Sequence, residues 1–236
     1  MTNLGRLLGR LWRGAVFVVR YEIRIWRSLG IWLFRPRTVP PGARAHRYAG
    51  PVTPLMIVFI AVSAVELPVL HLLLPWETVR LIVDILSVWG LFWMIGLLAS
   101  VRVHPHLVTD EGIWVRYGFS VDVMVPWDAV ASVRSQGRGV EGGRTVHYEQ
   151  TPAGRVASVL VMKQTTVDLV LRGPTVFEDL PRHGDEPVVE LRLYADDPAA
   201  LVADIRERLR VGETTGPAGR AGGSGTDRGE VTISGG

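Results

Sequence analysis

Two long apolar runs lie close together in the first half of the chain, and they constrain its fold more than any other feature. Residues 52–74 and 79–101 are each 23 residues long, and only Pro75-Trp-Glu-Thr78 separates them. A helix needs about 20 apolar residues to cross the hydrocarbon of a bilayer. So short a link permits only a tight turn between two helices. The pattern therefore predicts an antiparallel membrane-spanning helical hairpin over residues 52–101.

Positive charge is concentrated before the hairpin. Residues 1–51 hold ten Arg and one Glu, a net charge of +9, whereas residues 102–210 hold 13 Lys or Arg and 16 Asp or Glu, a net charge of −3. Basic segments next to a membrane span attract anionic lipid headgroups. A nucleic-acid-binding protein carries its positive charge on the folded module instead. We therefore expect anionic membrane lipid as a partner and no nucleic acid.

Arginines recur at helical spacing through residues 1–37. Their steps of four, three, seven, four and three place six of them on one stripe of a helix: Arg6, Arg10, Arg13, Arg20, Arg24 and Arg27. They interrupt the apolar sequence too often for a cleavable signal sequence. The pattern predicts an amphipathic helix in the membrane interface, with these arginines on lipid headgroups. The alternative is a helix packed on the soluble domain with its arginines in water.

Residues 38–51 contain three Pro and two Gly without periodicity, which is typical of a linker.

Cationic residues flank the hairpin on the side of its two free ends: Arg35, Arg37, Arg44, Arg47 and Arg102. Because such residues favour the cytoplasmic side, we expect a multi-pass protein of the cell inner membrane with both termini in the cytoplasm. The preference for arginine over lysine is typical of a GC-rich bacterial genome.

Polar residues interrupt both spans and form a candidate intramembrane cluster: Glu66, His71, Arg80, Asp84 and Ser87. With a rise of about 1.5 Å per residue, an antiparallel hairpin places His71 beside Asp84 and Glu66 beside Ser87. Arg80 lies one turn before Asp84 and could pair with it. No spaced metal or cofactor signature accompanies them, so the sequence predicts no catalytic residue, no metal site and no cofactor.

Two interpretations of this cluster stay open. The first is a polar clamp that holds the two helices, or two copies of the hairpin in a homo-oligomer, together. The second is a membrane-embedded enzyme or ion-coupled component that uses Glu66, His71 and Asp84 to bind a metal or relay protons.

The hydrophobic period changes to that of strands in residues 102–210. Alternating runs and turn signals predict strands through residues 103–134 and at 156–163, 166–172 and 188–194, with a long Gly-rich loop at 137–155. An Asp followed by Pro predicts a helix over 199–210. We expect an α+β domain, a small antiparallel barrel or sandwich capped by this helix. His104 and His106 are expected to be interfacial side chains. Residues 211–236 contain nine Gly and predict a disordered tail.

Several segments of this domain resemble one family. Residues 107–113 (LVTDEGI), 116–118 (RYG) and 125–130 (VPWDAV), together with the closing strand and helix at 191–209, resemble the bacterial pleckstrin-homology-like (PH-like) domains. The resemblance covers about residues 103–210, and domains of this family often follow two membrane spans. It implies a module that binds or scaffolds an unidentified protein partner at the cytoplasmic face, and not an enzyme. It does not imply phosphoinositide binding, because the domain is acidic.

Overall fold

The structure, a computed structural model, describes residues 2–34, 39–142, 144–181 and 186–214, without the side chains of residues 2–15, 17 and 212–214. Over these residues the chain is an α+β protein with two β-sheets. Within the described ranges, the helices are α1 (Thr2–Phe34), α2 (Val52–Leu73), α3 (Glu77–Val103) and α4 (Pro198–Thr214). The strands are β1 (Arg44–His46), β2 (His106–Val108), β3 (Gly112–Tyr117), β4 (Val121–Pro126), β5 (Val130–Gly139), β6 (Val146–Thr151), β7 (Gly154–Val159), β8 (Gln164–Thr175) and β9 (Val188–Leu193).

The two apolar runs form helices α2 and α3, as predicted. They are 22 and 27 residues long, with mean hydropathies of 2.2 and 2.1 over their most apolar stretches. In the described part of the chain, they are the helices that are long and apolar enough to cross a membrane, by length and composition. Helix α2 ends at Leu73 because Leu74 precedes a proline and is extended, with φ −84° and ψ 110°.

The first sheet is an antiparallel meander in the order β1-β2-β3-β4. Its edge strand lies inside the segment that the sequence predicts as a linker, residues 38–51. Arg44 pairs with Val108 and His46 with His106 across β1 and β2. Three residues are too few to show a strand period, so pairing with the edge of β2 decides the conformation here. The segment is therefore part of the folded domain.

The second sheet has the order β5-β8-β9-β7-β6 and is mixed. Strand β9 lies between β7 and β8 and pairs parallel with β7 and antiparallel with β8. The prediction of an all-antiparallel domain is therefore wrong for this pair. A sequence pattern can predict that a segment is a strand. It does not predict which strand lies beside it, because that depends on how the loops between the strands are packed.

The long loop predicted at residues 137–155 is also wrong. Strand β5 continues to Gly139, and β6 forms a hairpin with β7, in which Val146 pairs with Val159 and Thr151 with Gly154. Gly154 has a φ of +132°, which favours glycine. The many glycines indicated a loop, but the segment forms a hairpin because the alternating residues Val146 and Tyr148 contact the core.

The core lies between the sheets and beneath α4. Leu201 and Ile205 of α4 are fully buried and Leu209 packs beside them, which confirms the predicted apolar face. The Asp197 Oδ1 accepts a hydrogen bond of 3.0 Å from the Ala200 N–H, as expected of an N-terminal cap. Helix α4 continues to Thr214, so the tail predicted at 211–236 begins inside this helix. Residues 215–236 lie outside the described residues.

Candidate functional site

The polar residues of the hairpin separate into two groups. The His71 Nδ1 lies 2.7 Å from the Asp84 Oδ2, the juxtaposition that the rise of the two helices predicts. The Asp84 Oδ1 is buried and has no hydrogen-bond partner. Arg80 makes no ion pair with Asp84, whose carboxylate faces the imidazole of the other helix instead. The result is one polar link between α2 and α3 near their connecting turn.

Glu66 lies elsewhere along the helix pair. Glu66 and Ser87 line the same cavity of about 330 Å³ between α2 and α3, together with Ser63 and Trp93. Across the described ranges, no group of three His, Asp or Glu side chains is positioned to hold a metal ion. Glu66 therefore does not complete a ligand set with His71 and Asp84.

Helix α1 packs on the end of α3 that is next to the sheets. A Cβ at Gly96 would lie 2.4 Å from the Ile25 Cγ2, so the absence of a side chain at Gly96 allows the two helices to approach. The Glu22 carboxylate accepts hydrogen bonds of 3.1 Å from the indole N–H groups of Trp26 and Trp93. The Arg24 Nη1 donates 3.3 Å to the carbonyl of Phe119 in the β3–β4 turn.

The remaining surface of α1 has two different faces. Arg20, Arg24 and Arg27 are exposed beside the packed face. Val19, Trp26 and Leu33 are spaced seven residues apart, so they share another face of the helix, and they are also exposed. The side chains of Arg6, Arg10 and Arg13 lie outside the described residues. In its described part, the helix thus carries both an exposed apolar face and an exposed cationic face.

Residues 40–50, which we call the strap, join the sheet domain to the start of α2. The Arg44 Nη1 lies 2.5 Å from the Asp204 Oδ1 and 2.7 Å from the Glu207 Oε2. The Asp204 Oδ2 also lies 2.9 Å from the His46 Nε2. At the other end, the Gly50 N–H donates to Asp196 at 2.9 Å. These contacts hold the entry to the hairpin against α4 and against the connection that precedes it.

Two buried polar side chains, Tyr48 of the strap and His106 of the neighbouring strand β2, were missed by sequence reasoning. Tyr48 is 1% exposed, and its hydroxyl accepts a hydrogen bond of 2.7 Å from the Gly118 N–H. His106 was expected at an interface but is also 1% exposed. The Arg116 N–H donates to its Nδ1 at 3.0 Å, so its Nε2 carries the proton that is donated to the Tyr194 carbonyl at 2.9 Å.

Burial controls the protonation of both side chains. It lowers the pKa of His106 to about 4, because the charged imidazolium loses its hydration. It raises the pKa of Tyr48 for the same reason, since the phenolate is the charged form. Both groups are neutral at physiological pH, and their ring centroids lie 4.8 Å apart. His106 directly precedes the apolar residues Leu107 and Val108, whereas no apolar run adjoins Tyr48, so its burial has no local sequence signal.

A buried carboxylate lies on the outer face of the second sheet. Asp168 alternates with Val167 and Leu169, which belong to the core, so it faces away from the core. It is nevertheless fully buried, because Arg138 covers it with an Nη2–Oδ2 distance of 3.2 Å. The Arg192 Nε also lies 3.9 Å from the Asp168 Oδ1. These guanidinium groups balance the charge of the carboxylate, although its Oδ1 has no hydrogen-bond partner.

No family model, curated protein or solved structure matches this chain. Its class is thus defined by its own features: an α+β protein in which two long apolar helices carry a domain of two packed sheets.

Proposed function

We propose that this chain is an integral membrane protein in which α2 and α3 form a spanning hairpin. One observation carries the proposal: no residue of α2 is buried by the rest of the protein. The core helix of a water-soluble protein can be equally long and apolar, but its neighbours cover it. An apolar helix that the protein leaves uncovered needs an apolar solvent.

The exposed apolar surface continues on α3. Its members include Leu55, Ile57, Val58, Phe59, Val62, Val65, Val69, Leu72, Leu73, Leu81, Ile82, Ile85, Leu86, Trp89 and Phe92. Exposed apolar patches above a few hundred Å² mark interaction or membrane surfaces. Eleven percent of the most apolar stretch of α3 is buried, all of the buried residues lying near α1 and the sheets. This distribution supports immersion of the rest of the hairpin in lipid.

The orientation follows from charge. The sheet domain joins the hairpin at the end where Arg47 and Arg102 lie, and the opposite turn carries Glu77 and Arg80. Because cationic residues favour the cytoplasmic side, the sheet domain faces the cytoplasm from the inner membrane, and both termini are cytoplasmic.

We assign the sheet domain the role of a PH-like binding or scaffolding module for a protein partner. Two packed sheets closed by the C-terminal helix α4 support this assignment, and the parallel pairing of β7 with β9 is a departure from a purely antiparallel barrel. For the hairpin we propose the clamp: His71 and Asp84 link the helices, whereas the described residues bring no third ligand to them.

Membrane extraction combined with topology reporters tests the spanning hairpin. The full chain should stay with membranes after alkaline carbonate washing. Alkaline phosphatase fused after Thr214 should be inactive, because it stays in the cytoplasm, whereas the same enzyme inserted after Trp76 should be active. Release of the chain by carbonate, or activity of the fusion after Thr214, would reject the proposal.

Affinity purification from native membranes tests the module. The full chain should retain a protein that is lost when residues 104–214 are deleted and the hairpin is kept. A partner retained equally by both forms would assign binding to the helices instead.

A further inference from the structure

A cavity of about 480 Å³ opens where the helices meet the sheet domain. It lies between the end of α1, the start of α2 and the end of α3. Its lining includes Trp32, Arg47, Pro54, Ile57, Arg102 and Asp196. In the proposed orientation this position is the cytoplasmic boundary of the bilayer, the level of the lipid headgroups.

The charges around this cavity are not balanced. Arg44, on the neighbouring strand, is paired with Asp204 and Glu207 of α4. Arg47 and Arg102 line the cavity, and neither guanidinium has a hydrogen-bond or ion-pair partner in the described part of the chain. Among the described residues of the lining there is one carboxylate, Asp196, which accepts hydrogen bonds from the Gly50 N–H at 2.9 and 3.1 Å.

Two unpaired guanidinium groups beside one cavity favour an anionic ligand. Guanidinium is the side chain whose fork of N–H donors matches the oxygens of a phosphate. A carboxylate that is already hydrogen-bonded reduces the positive charge but leaves one positive charge in excess. The chemical class that this arrangement recognises is a phosphate group.

The apolar part of the lining indicates how the ligand continues beyond its phosphate. Ile57 lies about 7.5 Å along α2 from its first residue, Val52, at a rise of about 1.5 Å per residue, and its side chain is exposed. Trp32 also lines the cavity and is exposed, and tryptophan is enriched where hydrocarbon meets headgroups. A ligand with an anionic head and an apolar tail matches both parts, whereas a free phosphate would use only the arginines.

We propose that this cavity binds the phosphate headgroup of one anionic membrane lipid, with Arg47 and Arg102 as the headgroup contacts and an acyl chain along Ile57 and Trp32. The proposal rests on the membrane function proposed above and adds a ligand to it. It differs from the arginine stripe of α1, which would attract an anionic surface without selecting one lipid. A lipid bound here would fill the junction between hairpin and sheets.

Lipid retention by the purified full chain tests this site. The protein is reconstituted in phosphatidylcholine nanodiscs that contain a minority of phosphatidylglycerol, released into mild detergent, and its bound lipids are counted by native mass spectrometry. The parent should retain phosphatidylglycerol in preference to phosphatidylcholine. The double variant Arg47→Gln, Arg102→Gln should retain it at least about tenfold less, since hydrogen bonds to charged groups are strong. Arg144→Gln with Arg172→Gln, an equal loss of two charges at exposed positions of the sheet domain, is the matched control and should behave like the parent.

Three results would overturn the lipid site. If the double variant retains as much phosphatidylglycerol as the parent, the two arginines do not contact the lipid. If the parent retains phosphatidylglycerol and phosphatidylcholine equally, the site does not select an anionic headgroup. Displacement of the lipid by free glycerol 3-phosphate at equal concentration would identify a site for soluble phosphates.

Further controls separate this proposal from the membrane proposal and from misfolding. If carbonate releases the parent from membranes, the membrane function itself fails. If the parent stays in membranes but any of the three results is found, only the lipid site fails. Should the Gln pair not fold, Arg47→Lys with Arg102→Lys keeps both charges and loses the fork; retention severalfold below the parent is expected, and unchanged retention would contradict the site.

Discussion

At the scale of single residues, the clearest physical constraint is the imidazole of His106. Its Nδ1 accepts from the Arg116 N–H and its Nε2–H donates to the Tyr194 carbonyl, so both nitrogens are satisfied by backbone and only the neutral ring fits. Burial lowers the pKa of His106 to about 4, and the stability of the folded domain therefore depends on pH.

We predict that the sheet domain loses stability between pH 6.5 and 4. The pKa of His106 is lowered from 6.5 to about 4, so the unfolded chain takes up a proton on this ring before the folded chain does. The contribution of the neutral ring is complete above pH 6.5 and is lost as the pH falls toward 4, by about 3 kcal/mol. His106→Gln, which keeps a donor and an acceptor but does not titrate, should show a smaller fall. Thermal unfolding at several pH values measures the difference; parallel curves for parent and variant would contradict the assignment.

Asp84 gives a second prediction at this scale. In Asp84→Asn the amide can still hydrogen-bond His71 while its charge is lost, so a clamp should weaken by only about 0.6 kcal/mol. Glu66→Gln should be similarly mild. Thermal stability and membrane abundance in matched lipid check both variants. A stoichiometric metal in the purified parent that disappears in Glu66→Gln at equal abundance would restore the metal-site interpretation.

At the scale of elements, the contact of α1 with α3 depends on the missing side chain of Gly96. A Cβ there would come within 2.4 Å of the Ile25 Cγ2, far inside van der Waals contact. Any side chain at position 96 would therefore displace Ile25 or move the two helices apart.

We predict that Gly96→Ala displaces α1 from α3. Hydrogen exchange of the α1 amides should rise severalfold in this variant, because the helix loses its packing partner. Gly90→Ala is the matched control on the same helix, since a Cβ at Gly90 would meet nothing within 4 Å. Adding Ile25→Ala should restore protection by removing the clashing methyl group. Equal exchange in the Gly96 and Gly90 variants would show that this contact does not hold α1.

The cationic face of α1 carries a separate prediction. Replacement of Arg6, Arg10, Arg13, Arg20, Arg24 and Arg27 by Gln in an isolated 1–37 peptide should weaken binding to anionic vesicles. Each arginine near such a surface contributes on the order of 1 kcal/mol. Vesicle co-sedimentation measures the loss, and equal binding of the parent peptide to neutral and anionic vesicles would exclude a headgroup role.

At the scale of the whole molecule, the sheet domain is assembled from both sides of the hairpin. Strand β1 and the buried Tyr48 come from before α2, whereas β2 to β9 and α4 follow α3. The strap is attached to α4 through Arg44 and Asp204. The hairpin therefore leaves and re-enters one folded unit, which limits how far the helices can move relative to the sheets.

We predict that residues 104–214 alone are much less stable than the same fragment with residues 40–50 joined in front by a short flexible linker. The shorter fragment lacks Tyr48, and loss of a buried large aromatic costs about 3–5 kcal/mol, a large part of the roughly 5–15 kcal/mol that stabilises a domain. Denaturant unfolding of both fragments measures the difference. Equal midpoints would show that the strap adds nothing to the fold.

The sequence alone determined the features that depend on local pattern. Runs of 23 apolar residues could only be long helices once Pro75 divided them, and Asp197-Pro198 marked the start of α4. The position of His71 opposite Asp84 also followed from the sequence, because a short turn and a constant helical rise determine which residues of a hairpin meet.

Only the tertiary structure decided which distant segments meet. The strand at Arg44–His46, the insertion of β9 between β7 and β8, and the burial of His106 each depend on a partner far away in the chain. Local periodicity reports which face of an element is apolar, but it carries no information about the neighbour that covers that face. The charge balance around Arg47 and Arg102 was hidden for the same reason: Arg44 differs from them only because α4 brings Asp204 and Glu207 to it.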